Sequence, residues 1–469
     1  MLTFSFKDGK PLYEQLYQHI KNEIETGEIK AGEKLPSKRS LAANLKLSVV
    51  TVETAYGMLN SEGYIHSVPG SGYFAESLPG LVRPVAHSSL PCFSSPNVEH
   101  YDIDLRTNAV DPSFFPFSVW AKLSRELLSS GREELLLSCD GQGHYKLRQA
   151  IAQHLRSFRG MEVYPEQIVV GAGGEYLTGM LIQLLGREKV YGVEDPGYVK
   201  TQRIFSENCP NVVPIGVDES GAIVDQLIDK KVQIAHITPS HQFPMGAVMP
   251  AARRHQILSW CWDEEDRYII EDDHDGDLRF GGRPVPSLQS LDRADRVLYL
   301  NSFTKSLAPS MRIGYMVVPL GLLKRYRERL GFYACTVPVF EQLTLAEFIQ
   351  RGYFERHISR MRKVYLARRS YFIKALQNSS LSKRVDICEG NAGVHLMLIS
   401  KTGEDEKTML KKAADRGVRV YGLSEYYGLG GSYPGPARMI AGYGGLDEKE
   451  IDAAISALEQ AWSGYLVAI

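Results

Sequence analysis

Arg296-Val297-Leu298-Tyr299-Leu300-Asn301-Ser302-Phe303-Thr304-Lys305-Ser306 begins as an apolar run and ends abruptly in hydroxyls and a lysine. Its length suits a strand buried on both faces. Gln167-Ile168-Val169-Val170-Gly171, Ile234-Ala235-His236-Ile237-Thr238 and Tyr268-Ile269-Ile270-Glu271-Asp272 have the same form. Helical stretches separate these runs. That alternation predicts an α/β domain with a largely parallel sheet. In such sheets ligands sit beyond the carboxyl ends of the strands, where these runs place their polar residues.

The sheet-end residues suggest a chemistry. Asp272 ends one run, Lys305 follows another, and Arg312 lies seven residues on. Gly171-Ala172-Gly173-Gly174 precedes a helix, and Tyr198 follows Asp195-Pro196-Gly197. An aldehyde cofactor with a pyridine ring and a phosphate needs these types. A lysine forms the Schiff base. A carboxylate keeps the ring nitrogen protonated, so the ring stays an electron sink. Hydroxyls, an arginine and a helix N-terminus hold the phosphate, and an aromatic stacks on the ring. Singly, each residue has an ordinary explanation: a surface lysine, a solvated or Mg²⁺-binding acidic loop, a tight turn, a structural ion pair, a core tyrosine. Only the ordered set points to a site.

The first 77 residues have a different texture. Leu12, Leu16, Ile20 and Ile24 mark one amphipathic helix. Pro36-Ser37 opens a second, and Ser48 caps a third whose Val52, Ala55, Tyr56 and Leu59 form one face. Two short strands around Pro69-Gly70-Ser71-Gly72 follow. Helix, helix, helix, ribbon is winged helix-turn-helix order, with the third helix suited to the major groove. Val49, Val50, Glu53 and Gly57 face outward. Ser37, Lys38 and Arg39 suit phosphate contacts, Ser48, Val49, Val50 and Thr51 suit base or backbone contacts, and Gly70 and Gly72 allow close approach. Valines at 49 and 50 suit thymine methyl groups. The segment holds eight Lys/Arg and nine Asp/Glu, yet Lys34 to Val52 carries four cations and no acid. A protein-interaction module would share this order of elements.

Between Ser77 and His100 lie four prolines and five serines with no apolar periodicity, which predicts an extended linker. The expected domains are therefore 1–77, a linker 78–104, and 105–469. The chain of 469 residues carries a net charge of -1, so nothing global draws it to polyanions. Six isolated cysteines form no C-x-x-C pair, and no metal site is expected. No run of 18 apolar residues and no signal-peptide core occur, so the expectation is a cytoplasmic protein without membrane contact.

Leu35-Pro36-Ser37-Lys38-Arg39-Ser40-Leu41-Ala42, Val52-Glu53-Thr54-Ala55-Tyr56, Glu62-Gly63-Tyr64 and Gly70-Ser71-Gly72-Tyr73-Phe74 closely resemble the GntR family of bacterial regulators. The family's usual arginine after the serine that starts the third helix is replaced by Val49. Residues 105–469 resemble class I, fold-type I aminotransferases through Glu194-Asp195-Pro196-Gly197-Tyr198, Thr238-Pro239-Ser240-His241-Gln242-Phe243-Pro244, Tyr268 to Asp273, Ser302 to Leu307 and Arg312-Ile313-Gly314-Tyr315. The two-part chain resembles the MocR subfamily.

That resemblance implies a largely parallel central sheet with a smaller C-terminal subdomain, and a regulator using pyridoxal 5'-phosphate. Lys305 would carry the cofactor and Asp272 would pair with its ring nitrogen. Tyr198 would stack on the ring. Ser302, Thr304, Arg312, Gly173 and Gly174 would hold the phosphate. Arg438 would grip an effector carboxylate. His274 stands where the family has tyrosine, and Lys200 where the GABA-responsive member has arginine. The implied partners are an operator duplex with repeated half-sites, an amino acid, amine or pyridoxal phosphate as effector, and a second copy in a head-to-tail dimer. The alternatives are a working aminotransferase with a DNA-binding appendage, and a regulator whose large domain binds no cofactor.

Overall fold

The computed structural model describes residues 9–78, 100–107, 109–131, 133–280, 286–388 and 393–463. The chain divides into two compact units, Met1–Val98 and Glu99–Ile469. Most of the expected linker, residues 79–99, lies outside the described residues.

The first unit is a winged helix-turn-helix. It contains α1 (Leu12–Thr26), α2 (Lys38–Leu45), α3 (Val49–Ser61) and the hairpin β1 (Ile65–Val68) and β2 (Gly72–Ala75). Both short helices start on side-chain caps: Ser37 Oγ accepts from the Ser40 N–H, and Ser48 Oγ from the Thr51 N–H. Leu16, Ile20, Leu41, Val52, Ala55, Tyr56 and Leu59 pack into one buried core. The wing is tied to the helices, because Leu35 N–H donates to Tyr73 O and the rings of Tyr56 and Tyr73 meet edge to face.

The second unit begins earlier than the linker expectation. Ile103–Asp104 (β3) pairs in parallel with Val418–Arg419, so backbone hydrogen bonds already hold residue 103. Two helices, α4 (Phe117–Ser129) and α5 (Tyr145–Arg159), precede the main sheet. Its strands are β4 (Ile168–Gly171), β5 (Tyr191–Glu194), β6 (Val212–Ile215), β9 (Ile234–Ile237), β10 (Tyr268–Asp272), β11 (Val297–Ser302) and β12 (Gly314–Val317), with a small hairpin, β7 (Val217–Asp218) and β8 (Gly221–Ala222), between β6 and β9. The order is β4-β12-β11-β10-β9-β5-β6. Only β12 runs against its neighbours. Successive residues serve opposite faces. Val170 and Tyr299 join one core with Leu147 and Ile151 of α5, whereas Val169, Leu298 and Leu300 join another with Leu177 and Leu181 of α6 (Gly174–Leu185). A run apolar at every position is required when helices cover both faces.

A smaller C-terminal sheet completes the unit. Val385–Cys388, His395–Ser400, Arg438–Gly442 and Tyr421–Gly422 pair antiparallel in that order and share a core with the helix Tyr353–Asn378. The α/β expectation and its smaller subdomain hold. Among the described residues, no helix is long and apolar enough to cross a membrane.

Candidate functional site

β5, β9, β10 and β11 present their carboxyl ends at one edge, where a cleft of about 890 Å³, counting the part open to solvent, is lined by residues from all four and by Gly174 and Glu175 at the start of α6, just after β4. Asp272 closes β10 opposite Leu300 of β11, so Ser302, Thr304 and Lys305 follow within the same cleft. After a turn β12 returns, with Gly314 opposite Ser302. Arg312 enters that strand at φ 51° and reaches across to the turn before α6. Gly173 sits in that turn at φ 89°, and a Cβ there would lie 3.0 Å from Arg312 Nη2. Only glycine leaves room for the guanidinium above the helix N-terminus, so turn and arginine form one cradle. Tyr198 precedes α7 (Val199–Asn208) and lines the opposite wall, its ring 5.4 Å from that of Phe243.

The lysine end of the cleft is denser than the sequence suggested. Lys305 Nζ lies 2.8 Å from Asp275 Oδ1 in an ion pair. Asp275 Oδ2 lies 3.0 Å from His241 Nδ1 and 3.5 Å from His274 Nε2. Burial alone would raise the Asp275 carboxyl, but Lys305, His274 and His241 outweigh it and hold it well below the usual range. Asp272 is likewise lowered: burial opposes, while His236 at 3.6 Å, His274 and Lys305 prevail. Burial pushes His274 below its usual range, and Lys305 adds to that. His241, His274 and Asp275 approach closely enough to ligate a metal ion. The Lys305 ammonium already supplies the positive charge there.

Of the effector residues inferred from resemblance, neither Lys200 nor Arg438 is among the residues lining this cleft. Lys200 Nζ lies 3.5 Å from Glu175 Oε1, and Glu175 Oε2 lies 3.1 Å from Arg312 Nη2. One carboxylate therefore bridges two cations at the cradle. Arg438 Nη2 donates to Tyr433 Oη at 2.6 Å, and its guanidinium lies 4.1 Å from that ring's centre.

In the first unit, Val49 and Val50 are 43% and 69% exposed at the start of α3. Ser48 and Thr51 hydroxyls bond one another at 2.8 Å. Lys38, expected at phosphate, instead donates to Glu53 at 2.7 Å, which leaves the exposed Arg39 as the outward cation at the start of α2. Gly70 and Gly72 have φ of 77° and 118° in the wing turn, a region that excludes most side chains.

Residues 12–74 match the family model of bacterial regulatory proteins of the gntR family, and residues 102–458 match aminotransferase class I and II. The probable rhizopine catabolism regulatory protein MocR of Rhizobium meliloti is 32% identical over 483 residues, spanning 98% of this chain and 96% of that one. The chain belongs to the MocR-type GntR regulators. The MocR-type chain is also 30% identical to the pyridoxine biosynthesis transcriptional regulator PdxR of Corynebacterium glutamicum, over 96% of this chain and 95% of that one. It is 40% identical to the HTH-type transcriptional regulator YdeL of Bacillus subtilis, over 96% and 97%. The kynurenine aminotransferase of Pyrococcus horikoshii has a similar structure, with TM-score 0.68 and 26% identity over 78% of this chain and 91% of that one. This MocR-type protein is thus a transcriptional regulator with an aminotransferase-like domain.

The sequence reading missed Asp275, His241 and Glu175. Asp275 lay in plain sight in the run Glu271-Asp272-Asp273-His274-Asp275, but the strand ends at Asp272, and its turn, not any periodicity, aims Asp275 at Lys305. Glu175 follows the glycine turn, and its position at a helix N-terminus was the available signal.

Proposed function

We propose that this regulator binds pyridoxal 5'-phosphate at Lys305 and that the state of the bound cofactor controls operator binding. The observation that carries the proposal is the cleft itself, which gathers a lysine, a buried carboxylate and a glycine–arginine cradle at a helix N-terminus. When bound, the cofactor supplies an amine-reactive aldehyde and an electron-withdrawing ring. Lys305 would hold the aldehyde carbon, and Asp272, kept ionised, would hold the ring nitrogen as its protonated form. Tyr198 would stack on the ring. Ser302, Thr304, Arg312 and the Gly173–Gly174 turn would bind the phosphate. His274, kept neutral by burial and Lys305, would donate one hydrogen bond to the ring oxygen.

The effector is an amino acid, an amine or pyridoxal phosphate, sensed to control a metabolic operon. The names of two relatives, one tied to pyridoxine biosynthesis and one to rhizopine catabolism, support that class. A carboxylate effector would draw Arg438 from Tyr433 or Lys200 from Glu175. The protein acts in the cytoplasm as a head-to-tail homodimer on repeated half-sites. Effector and operator then change each other's affinity by the same factor.

Titrating the purified protein with pyridoxal phosphate should give a visible absorbance band; borohydride should bleach that band and leave the cofactor irreversibly attached, and Lys305→Ala should lose both the band and the attachment. A colourless protein at saturation would leave a regulator that binds no cofactor. The likeness to aminotransferases motivates one further reading: steady release of a keto acid from an amino acid would make the large domain an enzyme.

A further inference from the structure

The outward face of α3 is nearly devoid of the groups that read bases by hydrogen bonds. Its sequence, Val49 to Ser61, contains no arginine, lysine, glutamine or histidine, and its one amide, Asn60, lies in the last turn. The remaining polar side chains near its start hydrogen-bond within the unit although they are exposed or half-buried. Thr54 Oγ1 donates to Val50 O at 2.9 Å, and Thr51 shares a hydrogen bond with Ser48. Glu53 is held by Lys38. What projects without a partner inside the unit is apolar: Val49, and Val50 as the more exposed of the pair, beside the exposed but engaged Glu53 and Thr54.

Gly57 adds a second, separate observation. It lies seven residues after Val50, on the same exposed face, and a Cβ there would meet nothing within 4 Å. Glycine is the poorest helix former after proline, and among the described residues of this unit no packing requires it. A helix that keeps such a residue on its outer face is shaped for close approach by something outside the chain.

We infer that α3 reads its operator by apolar contact of Val49 and Val50 with thymine methyl groups, with Gly57 letting the helix seat deeply in the major groove. The inference rests on the winged helix as the DNA-binding unit. In the major groove a thymine differs from every other base by its C5 methyl, and an apolar side chain is the matching surface. Arg39 and the wing turn supply register on the phosphates without base information. Operators should therefore carry one or two essential thymines per half-site at a fixed position.

The test uses full-length protein, with and without pyridoxal phosphate. Duplexes selected from a random library give the bound sequence, and each thymine is then replaced by deoxyuridine. That change deletes one methyl and preserves every hydrogen-bonding group. Wild-type protein should bind the altered duplex about fourfold more weakly per essential position, the effect of one methyl withdrawn from water. Val49→Ala/Val50→Ala should bind the thymine and uracil forms equally, with an unchanged melting temperature. Gly57→Ala should melt higher yet bind all duplexes more weakly, with the thymine preference retained. Indifference of wild type to every uracil, or discrimination that survives in the double variant, overturns methyl reading. Undiminished affinity in Gly57→Ala overturns the deep seating. Failure to select any duplex would instead refute DNA binding, and the inference with it.

Discussion

Asp275 Oδ1 lies 2.8 Å from Lys305 Nζ, and the carboxylate is wholly shielded from solvent. A buried charge is tolerated only when it is paired and hydrogen-bonded. Asp275 meets both conditions, through Lys305 on one oxygen and His241 on the other. The amine that would hold the cofactor is thereby fixed before any cofactor arrives.

Replacing one member of this pair strands the other. Asp275→Asn should destabilise the large unit by about 3 kcal/mol, the usual cost of breaking a buried ion pair. Lys305→Met should cost a similar amount, and combining the two should restore much of the loss. All four tryptophans, Trp120, Trp260, Trp262 and Trp462, lie in the large unit, so urea denaturation followed by their fluorescence reports on it. Additive losses in the double variant would show that the pair is not coupled.

Acid should weaken the same unit through His395. Burial first, then His241 and Lys305, lower its imidazole to about 3, against the pull of Asp275 and of a bond to Pro244 O. The unfolded chain binds its proton below about 6.5 while the folded chain does not until about 3, so stability falls as pH drops between them. The slope is about 1.4 kcal/mol per pH unit. Glu271, raised to about 7 chiefly by burial, acts in the opposite sense between about 4.5 and 7. The difference between wild type and His395→Gln therefore isolates the contribution of this imidazole. His395→Gln should lose less stability between pH 6.5 and 4.5, and identical urea midpoint shifts would contradict this.

Glu175 occupies the anion position of the cradle, between Arg312 at 3.1 Å and Lys200 at 3.5 Å. A phosphate must compete with it. Arg312 and Glu175 are half exposed and Lys200 is more so, so the competition is modest. Glu175→Gln should tighten pyridoxal phosphate about two- to fivefold, by the usual range for exposed ion pairs. Pyridoxal without the phosphate should be unaffected. Equal effects on both aldehydes in absorbance titrations would place Glu175 away from the phosphate.

Arg39 is exposed at the start of α2, beside a Lys38 already spent on Glu53. Arg39→Ala should reduce the slope of log affinity against log salt by about 0.9, one phosphate contact. The sequence preference should stay unchanged. An unaltered slope in salt titrations of operator binding would remove Arg39 from the interface.

The sequence by itself determined both folds and most of the cleft. Runs apolar at every position dictate strands covered on both faces, and their polar endings place Asp272, Ser302 and Lys305 at one edge because parallel strands align their carboxyl ends. Caps at Ser37 and Ser48 set the helices of the DNA-binding unit for equally local reasons. Only tertiary structure decided which charges meet. Asp275 is 30 residues from Lys305, His241 is 34 from Asp275, and Glu175 is 137 from Arg312. Coulomb attraction and desolvation depend on distance and burial in space, which no spacing along the chain encodes once loops intervene. The same holds for Lys38, whose neighbour in sequence suggested phosphate and whose neighbour in space is Glu53.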